Sequence, residues 1–164
     1  MKKHHRKPVP FDVKLIAAAL LLLGVTAAAE FSGVFSTDDF VEANVIDVTG
    51  NTLVLGRDCM AIVAETTPDQ ARSIRLGIEH RIDVRPTTHD ILVEALGHFG
   101  VGVEQAVMTR FEDDIYYAEL VLRSEDSVLR LDARPTDAVA VALRTNTTFM
   151  INKAVLEQRG QNIC

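Results

Sequence analysis

The 164-residue chain is 48% hydrophobic, 24% charged and 5% aromatic, with no Trp and a mean hydropathy of +0.13. These values fit one packed domain and exclude disordered, collagenous and low-complexity classes. The net charge of -6 is unevenly spread, +4 over residues 1–14 and -9 from Ser36 onward, the opposite of the basic footprint of a nonspecific nucleic-acid binder.

Leu15 to Ala29, LIAAALLLLGVTAAA, is an uncharged apolar run between a Lys, Arg and His cluster and Glu30. It matches the longest signal-peptide apolar regions and falls short of the roughly 20 residues that span a bilayer. A retained anchor is expected, with Phe31 to Phe35 prolonging an apolar helix, so that residues 15–35 meet the membrane. Cleavage near Ala29, after the small residues Ala27 and Ala29, is the alternative. Because the basic residues lie on one side only, residues 1–14 are placed in the cytoplasm and the acidic domain on the outer face, as a single-pass protein. Residues 1–35 thus read as basic tip plus anchor or signal segment, and residues 40–158 as the folded domain.

Ser36 to Asp39 reads as a polar linker. Phe40 to Val48 and Thr52 to Leu55 read as a hairpin around Gly50-Asn51, and Cys59 to Ala64 as a short apolar strand. Thr67-Pro68-Asp69 opens a helix whose Ala71, Ile74, Leu76 and Ile78 supply an apolar face. Thr87 or Thr88 caps a second helix with Ile91, Leu92, Ala95, Leu96 and Phe99 at helical spacing, ended by Gly97 and Gly100. Val101 to Arg110, Ile115 to Arg123 and Ser127 to Ala133 form an antiparallel meander. A buried helix follows at Ala138 to Arg144, then a strand at Thr148 to Ile151, and Asn152 caps a last helix, Lys153 to Gln158. Cys59 and Cys164 are too few for a disulfide framework or a thiolate metal site, and Cys164, as the last residue, is expected to fray rather than pair.

The strand and helix at 59–79 parallel the strand and helix at 127–145, with Asp69 and Asp137 each in a first helical turn. Arg85-Pro86-Thr87 and Arg134-Pro135-Thr136 each introduce a helix. The expected fold is α+β, a two-layer domain with a mixed, mostly antiparallel sheet and an internally duplicated strand-helix unit, preceded by one N-terminal apolar helix.

Two clusters carry chemistry. His89 and Asp90 stand in the first turn of a helix, where an imidazole beside a carboxylate can ligate a cation or move a proton. Asp132, Arg134 and Asp137 crowd one strand-to-helix junction, which can hold a divalent ion on its carboxylates while Arg134 forks onto a phosphate. An internal clamp of Arg134 on both carboxylates is the alternative reading.

From about Leu53 to Leu156 the chain resembles the bifunctional nuclease family. The resemblance rests on Met60 to Ala64 followed by Asp69-Gln70-Ala71-Arg72-Ser73-Ile74, on Arg85-Pro86-Thr87-Thr88-His89-Asp90-Ile91-Leu92, on Tyr116-Tyr117-Ala118, and above all on Asp132 to Arg144. Thr136 stands where the family more often has Ser, which keeps a hydroxyl cap. The resemblance implies an internally duplicated α+β domain that degrades DNA and RNA. On this reading Asp90, Asp132 and Asp137 bind a divalent cation, Mg2+ or Mn2+, with Asp90 either a ligand or the group that orients His89. His89 is general base or acid, and Arg134 holds the substrate phosphate. Homo-oligomerisation is compatible with the sequence. The rival reading is a noncatalytic binding or assembly module at the membrane, favoured by basic residues past Ser36 that are all Arg except Lys153.

Overall fold

The computed structural model describes residues 37–164, so the apolar run at 15–29 and the anchor read from it lie outside the described residues. Among the described residues, no helix is long and apolar enough to cross a membrane. A 3-10 turn at Thr37–Asp39, expected as linker, leads into β1 (Phe40–Thr49). The remaining elements are β2 (Thr52–Arg57), β3 (Met60–Glu65), α1 (Pro68–Ile78), α2 (Thr88–His98), β4 (Gly102–Glu112), β5 (Ile115–Arg123), β6 (Val128–Ala133), α3 (Pro135–Thr145), β7 (Phe149–Asn152), α4 (Lys153–Arg159) and β8 (Gln161–Asn162).

The eight strands form one sheet in the order β6-β5-β4-β7-β1-β2-β3-β8. Only the β4–β7 pairing is parallel; the others are antiparallel, as expected for a mixed sheet. The duplication is real: two three-stranded meanders, β1-β2-β3 and β4-β5-β6, flank β7, and each runs directly into a helix, α1 or α3. The first hairpin turns at Gly50, whose φ of 59° is cheap only without a Cβ.

The letter echo of Arg-Pro-Thr is not a structural one. At α2 the Thr is the N-cap, and Thr87 accepts from the Asp90 amide. At α3 the N-cap is Arg134, Pro135 takes the first helical position, and no side chain caps the helix. Thr136 therefore does not supply the expected hydroxyl cap; its Oγ1 is buried with no hydrogen-bond partner among the described residues. The true counterpart of Arg134-Pro135 is Thr67-Pro68, where Thr67 closes a capping box with Gln70.

Helix α3 is the centre of the fold. Its small side chains, Ala138 to Ala142, are all buried, and it packs against β4, β5, β7, α1 and α2. Leu53, Leu55 and Ile62 from one meander and Ala106, Met108 and Leu120 from the other join Val139 and Val141 in a single buried cluster. Each larger side chain there contributes roughly 1.5–3 kcal/mol of burial. Gly77 of α1 lets this helix approach closely, since a Cβ there would stand 3.0 Å from Leu143 and from the Arg144 guanidinium.

The C-terminus corrects the expectation of fraying. Cys59 and Cys164 form a disulfide across 105 residues. Residue 164 is held because β8 pairs with β3, Met60 opposite Asn162, and the Ile163 amide donates to the Cys59 carbonyl at 2.9 Å. A two-residue strand carries no periodicity, so its anchoring was invisible in the sequence.

Candidate functional site

The start of α2 and the β6–α3 junction meet. His89 projects from the first turn of α2 and its Nε2 lies 3.2 Å from Asp137 Oδ1, on the first turn of α3. Its other ring nitrogen, Nδ1, lies 2.9 Å from the Ser73 hydroxyl on α1. Asp137 in turn accepts two hydrogen bonds from Arg134, 2.6 Å from Nε and 3.1 Å from Nη2. Burial by itself would raise the Asp137 carboxyl, but the hydrogen bonds from His89 and Arg134 outweigh it and hold it below the ordinary range. Asp137 is thus the ionised centre of a chain Ser73–His89–Asp137–Arg134.

Asp90 does not take part in that chain. Its Oδ1 receives Arg144 Nε at 2.6 Å and its Oδ2 receives the Thr87 amide and hydroxyl at 2.6 and 2.7 Å. Arg144 also donates to the carbonyls of Ser73 and Ala140, so one guanidinium ties α1, α2 and α3 together. Burial pushes Asp90 up, and hydrogen bonds from Arg144 and Thr87 more than reverse it, leaving the carboxyl lowered. The role of orienting His89, read from sequence as open to Asp90, belongs to Asp137, because neighbours on a helix point about 100° apart.

Asp132 lies exposed on β6, opposite Glu119 of β5, while Arg130 of β6 pairs with Glu119 at 2.9 Å. The expected clamp of Arg134 on both carboxylates is half realised: Arg134 holds Asp137 only, its side chain is 68% exposed, and its Nη1 has no partner among the described residues.

A concavity of about 760 Å³ opens beside these groups. Ser73, Thr87, His89, Asp132, Arg134 and Asp137 line it, with Asp69, Gln70 and Arg72 of α1. The N-terminal residues of three helices, Thr67, Thr87 and Arg134, border the same space. Asp69, Asp132 and Asp137 line this space as well, and the Arg134 guanidinium, though exposed, is paired with Asp137.

The carboxylates expected to hold a cation do not form a cage. Asp90 is enclosed by Arg144 and Thr87, both Asp137 oxygens are engaged, and only Asp132 is open. Among the described residues no three His, Cys, Asp or Glu side chains are gathered closely enough to hold a metal ion. This donor set does not fit a protein-held divalent cation, and no chemical step below is routed through one.

Ser73 and Arg144 were not singled out as site residues in the sequence. Both stand inside motifs of the resemblance, Ser73 in Asp69 to Ile74 and Arg144 at the end of Asp132 to Arg144. A buried Ser beside an apolar helix face and an Arg closing an apolar helix were the available signals.

The β-β-β-α repeat, with a His–Asp contact at a helix-bordered cleft, defines a duplicated α+β domain. Residues 56–163 match the sequence model of the Bifunctional nuclease domain, and the chain belongs to that family. An uncharacterized protein of Mycobacterium tuberculosis (strain ATCC 25618 / H37Rv) is 32% identical over 76 residues, 46% of this chain and 44% of that protein. Bifunctional nuclease 1 of Oryza sativa subsp. japonica and Bifunctional nuclease of Oryza minuta are each 27% identical over 82 residues, 48% of this chain and 25% of theirs. The matched stretch spans less than half the length of each of these relatives.

Proposed function

We propose that the domain is a nuclease that cleaves phosphodiester bonds of DNA, RNA or both in the cleft beside His89. The observation that carries this reading is an imidazole held between Ser73 and an ionised Asp137 where three helix N-termini border open space. Arg134 leaves its exposed pairing with Asp137 to fork onto the substrate phosphate, and the helix ends add partial positive charge as negative charge builds on phosphorus. His89 moves the proton, and Asp137 fixes its tautomer and stabilises the imidazolium. Family membership and the rice proteins' names support a nucleic-acid substrate.

The cation dependence expected from Asp90, Asp132 and Asp137 finds no support in how these groups are arranged. We take proton transfer through His89 as the working chemistry. The test is digestion of single-stranded DNA and RNA by the purified full chain in Mg2+, Mn2+ or EDTA, with His89→Gln alongside. Cleavage that persists in EDTA and disappears in His89→Gln is the expected result. A His89→Gln variant as fast as the parent would defeat the assignment.

The Cys59–Cys164 bridge supports the outer-face placement, since disulfides persist in oxidising compartments. Mass spectrometry of protein recovered from membranes tests it: an intact N-terminus supports the anchor, and loss of residues 1–29 supports export after cleavage.

The binding-module reading keeps one specific observation, the two-bond closure of Arg134 on Asp137. It predicts nucleic acid or partner binding with no turnover under any of these conditions.

A further inference from the structure

Given phosphodiester cleavage at His89, the nucleophile remains to be assigned, and the hydrogen bonds around the ring assign it. Asp137 is an ionised acceptor that already takes two bonds from Arg134, so the only proton available at the 3.2 Å contact is one carried by His89 Nε2. With the ring neutral, as a general base has to be, its lone pair is on Nδ1, which faces the Ser73 hydroxyl at 2.9 Å and in that tautomer accepts from it. The basic nitrogen of His89 is therefore occupied by a serine, and the proton it is placed to remove is that of Ser73.

Ser73 is also buried, 4% exposed, and it lines the cleft. A lone hydroxyl mid-helix ordinarily turns outward or bonds back to the preceding turn. Here it is turned to an imidazole whose far side is fixed by a carboxylate, the relation of nucleophile, base and orienting group that defines a serine triad by geometry rather than by chain order. Its low exposure restricts contact to whatever enters the cleft.

We propose that Ser73 is the nucleophile of a Ser73–His89–Asp137 relay that cleaves phosphodiesters through a covalent phosphoserine diester. In the first half, Ser73 Oγ attacks phosphorus and passes its proton to His89 Nδ1. The Oγ–P bond forms as the P–O bond to the leaving nucleoside, in line on the opposite face, breaks, and that oxygen takes its proton from solvent water. In the second half, water attacks the same phosphorus from that opposite face and gives its proton to solvent, while the His89 imidazolium returns its proton to Ser73 Oγ, which departs as the hydroxyl. No oxidant, reductant or co-reactant beyond water is consumed.

The inference rests on the nuclease reading, and its test separates the two. The full chain is incubated with diisopropyl fluorophosphate, which transfers its phosphoryl group to activated serines with loss of fluoride whether or not nucleic acid is a substrate. Peptide mapping by mass spectrometry should place a single adduct on Ser73, absent in His89→Gln. Cleavage of DNA or RNA should fall by at least about a thousandfold in Ser73→Ala, with KM little changed and the thermal midpoint close to the parent's. If the parent is labelled at Ser73 but cleaves neither nucleic acid, the nucleophile stands and the nuclease reading falls. If the parent cleaves nucleic acid without labelling and Ser73→Ala is as fast, the nuclease reading stands and the nucleophile is overturned. Labelling at another residue with Ser73→Ala fully active overturns it as well.

Discussion

Asp90 and Arg144, 54 residues apart in sequence, are joined by a 2.6 Å ion pair in which neither side chain is as much as a tenth exposed. Removing either partner leaves the other charge buried and uncompensated. Asp90→Asn or Arg144→Met is expected to cost about 3–5 kcal/mol of stability, read as a lower denaturant midpoint at unchanged slope. A loss below about 1 kcal/mol, the size of an exposed pair, would show that water reaches the pair in solution.

Acid should unfold the domain for a definable reason. Asp90 and Asp137 both titrate below the ordinary carboxylate value. Their contribution to stability is complete above the unfolded-state value, about 4, and is lost as pH falls through the lower folded-state values. Thermal midpoints should be flat from neutrality down to about pH 4 and drop steeply below it. Asp90→Asn should have a shallower acid limb than the parent; superimposable limbs would remove Asp90 from the account.

Arg134 should separate binding from stability. Its side chain is 68% exposed, so Arg134→Ala should change stability by less than about 1 kcal/mol. Loss of a charged fork onto phosphate should nevertheless lower cleavage at subsaturating substrate at least about tenfold. Arg134→Lys should recover only part of that, because an ammonium cannot form two parallel bonds. Equal rates for all three proteins would remove phosphate binding from Arg134.

The disulfide should be a large single contributor. It closes a loop spanning 105 residues, for which chain entropy predicts about 4–5 kcal/mol. Urea titrations with and without reductant measure it, and Cys59→Ala with Cys164→Ala should match the reduced parent. A reduced protein as stable as the oxidised one would mean that β3, β8 and the Ile163 amide already hold the C-terminus without the bridge.

Much of the fold was readable because its signals are local. Thr67 before Pro68, Thr87 before a helical apolar spacing and Asn152 before Lys153 each act within one turn; the strands β1 to β7 fall within two residues of their expected bounds, α3 starts three residues early at Pro135, and β8 was not expected. The meeting of His89 with Asp137 was readable as an expectation because both motifs sit at helix starts. Partner choice was not. Asp90 beside His89 in the sequence suggested a couple, yet the ring and the carboxylate leave the helix in different directions, and partners 16, 48 and 54 residues away take them. Those separations are bridged only when α1, α2 and α3 pack, which no window along the chain can report.

Strand β7 supplies just four residues, Phe149–Asn152, yet it is the seam between the repeats, pairing β1 on one side and β4 on the other. The two meanders share no hydrogen bonds of their own in the ladder order. As the chain leaves the ribosome, both three-stranded units exist before the segment that joins them, each with an open inner edge. The joining strand and the closing cysteine both follow the two meanders along the chain, so the segment from Phe149 to Cys164 acts as the latch. A nascent domain stopped short of Phe149 is a pair of half-sheets at risk of pairing with a neighbour's, and emergence of Phe149–Asn152 is the step that turns them into one enclosed core.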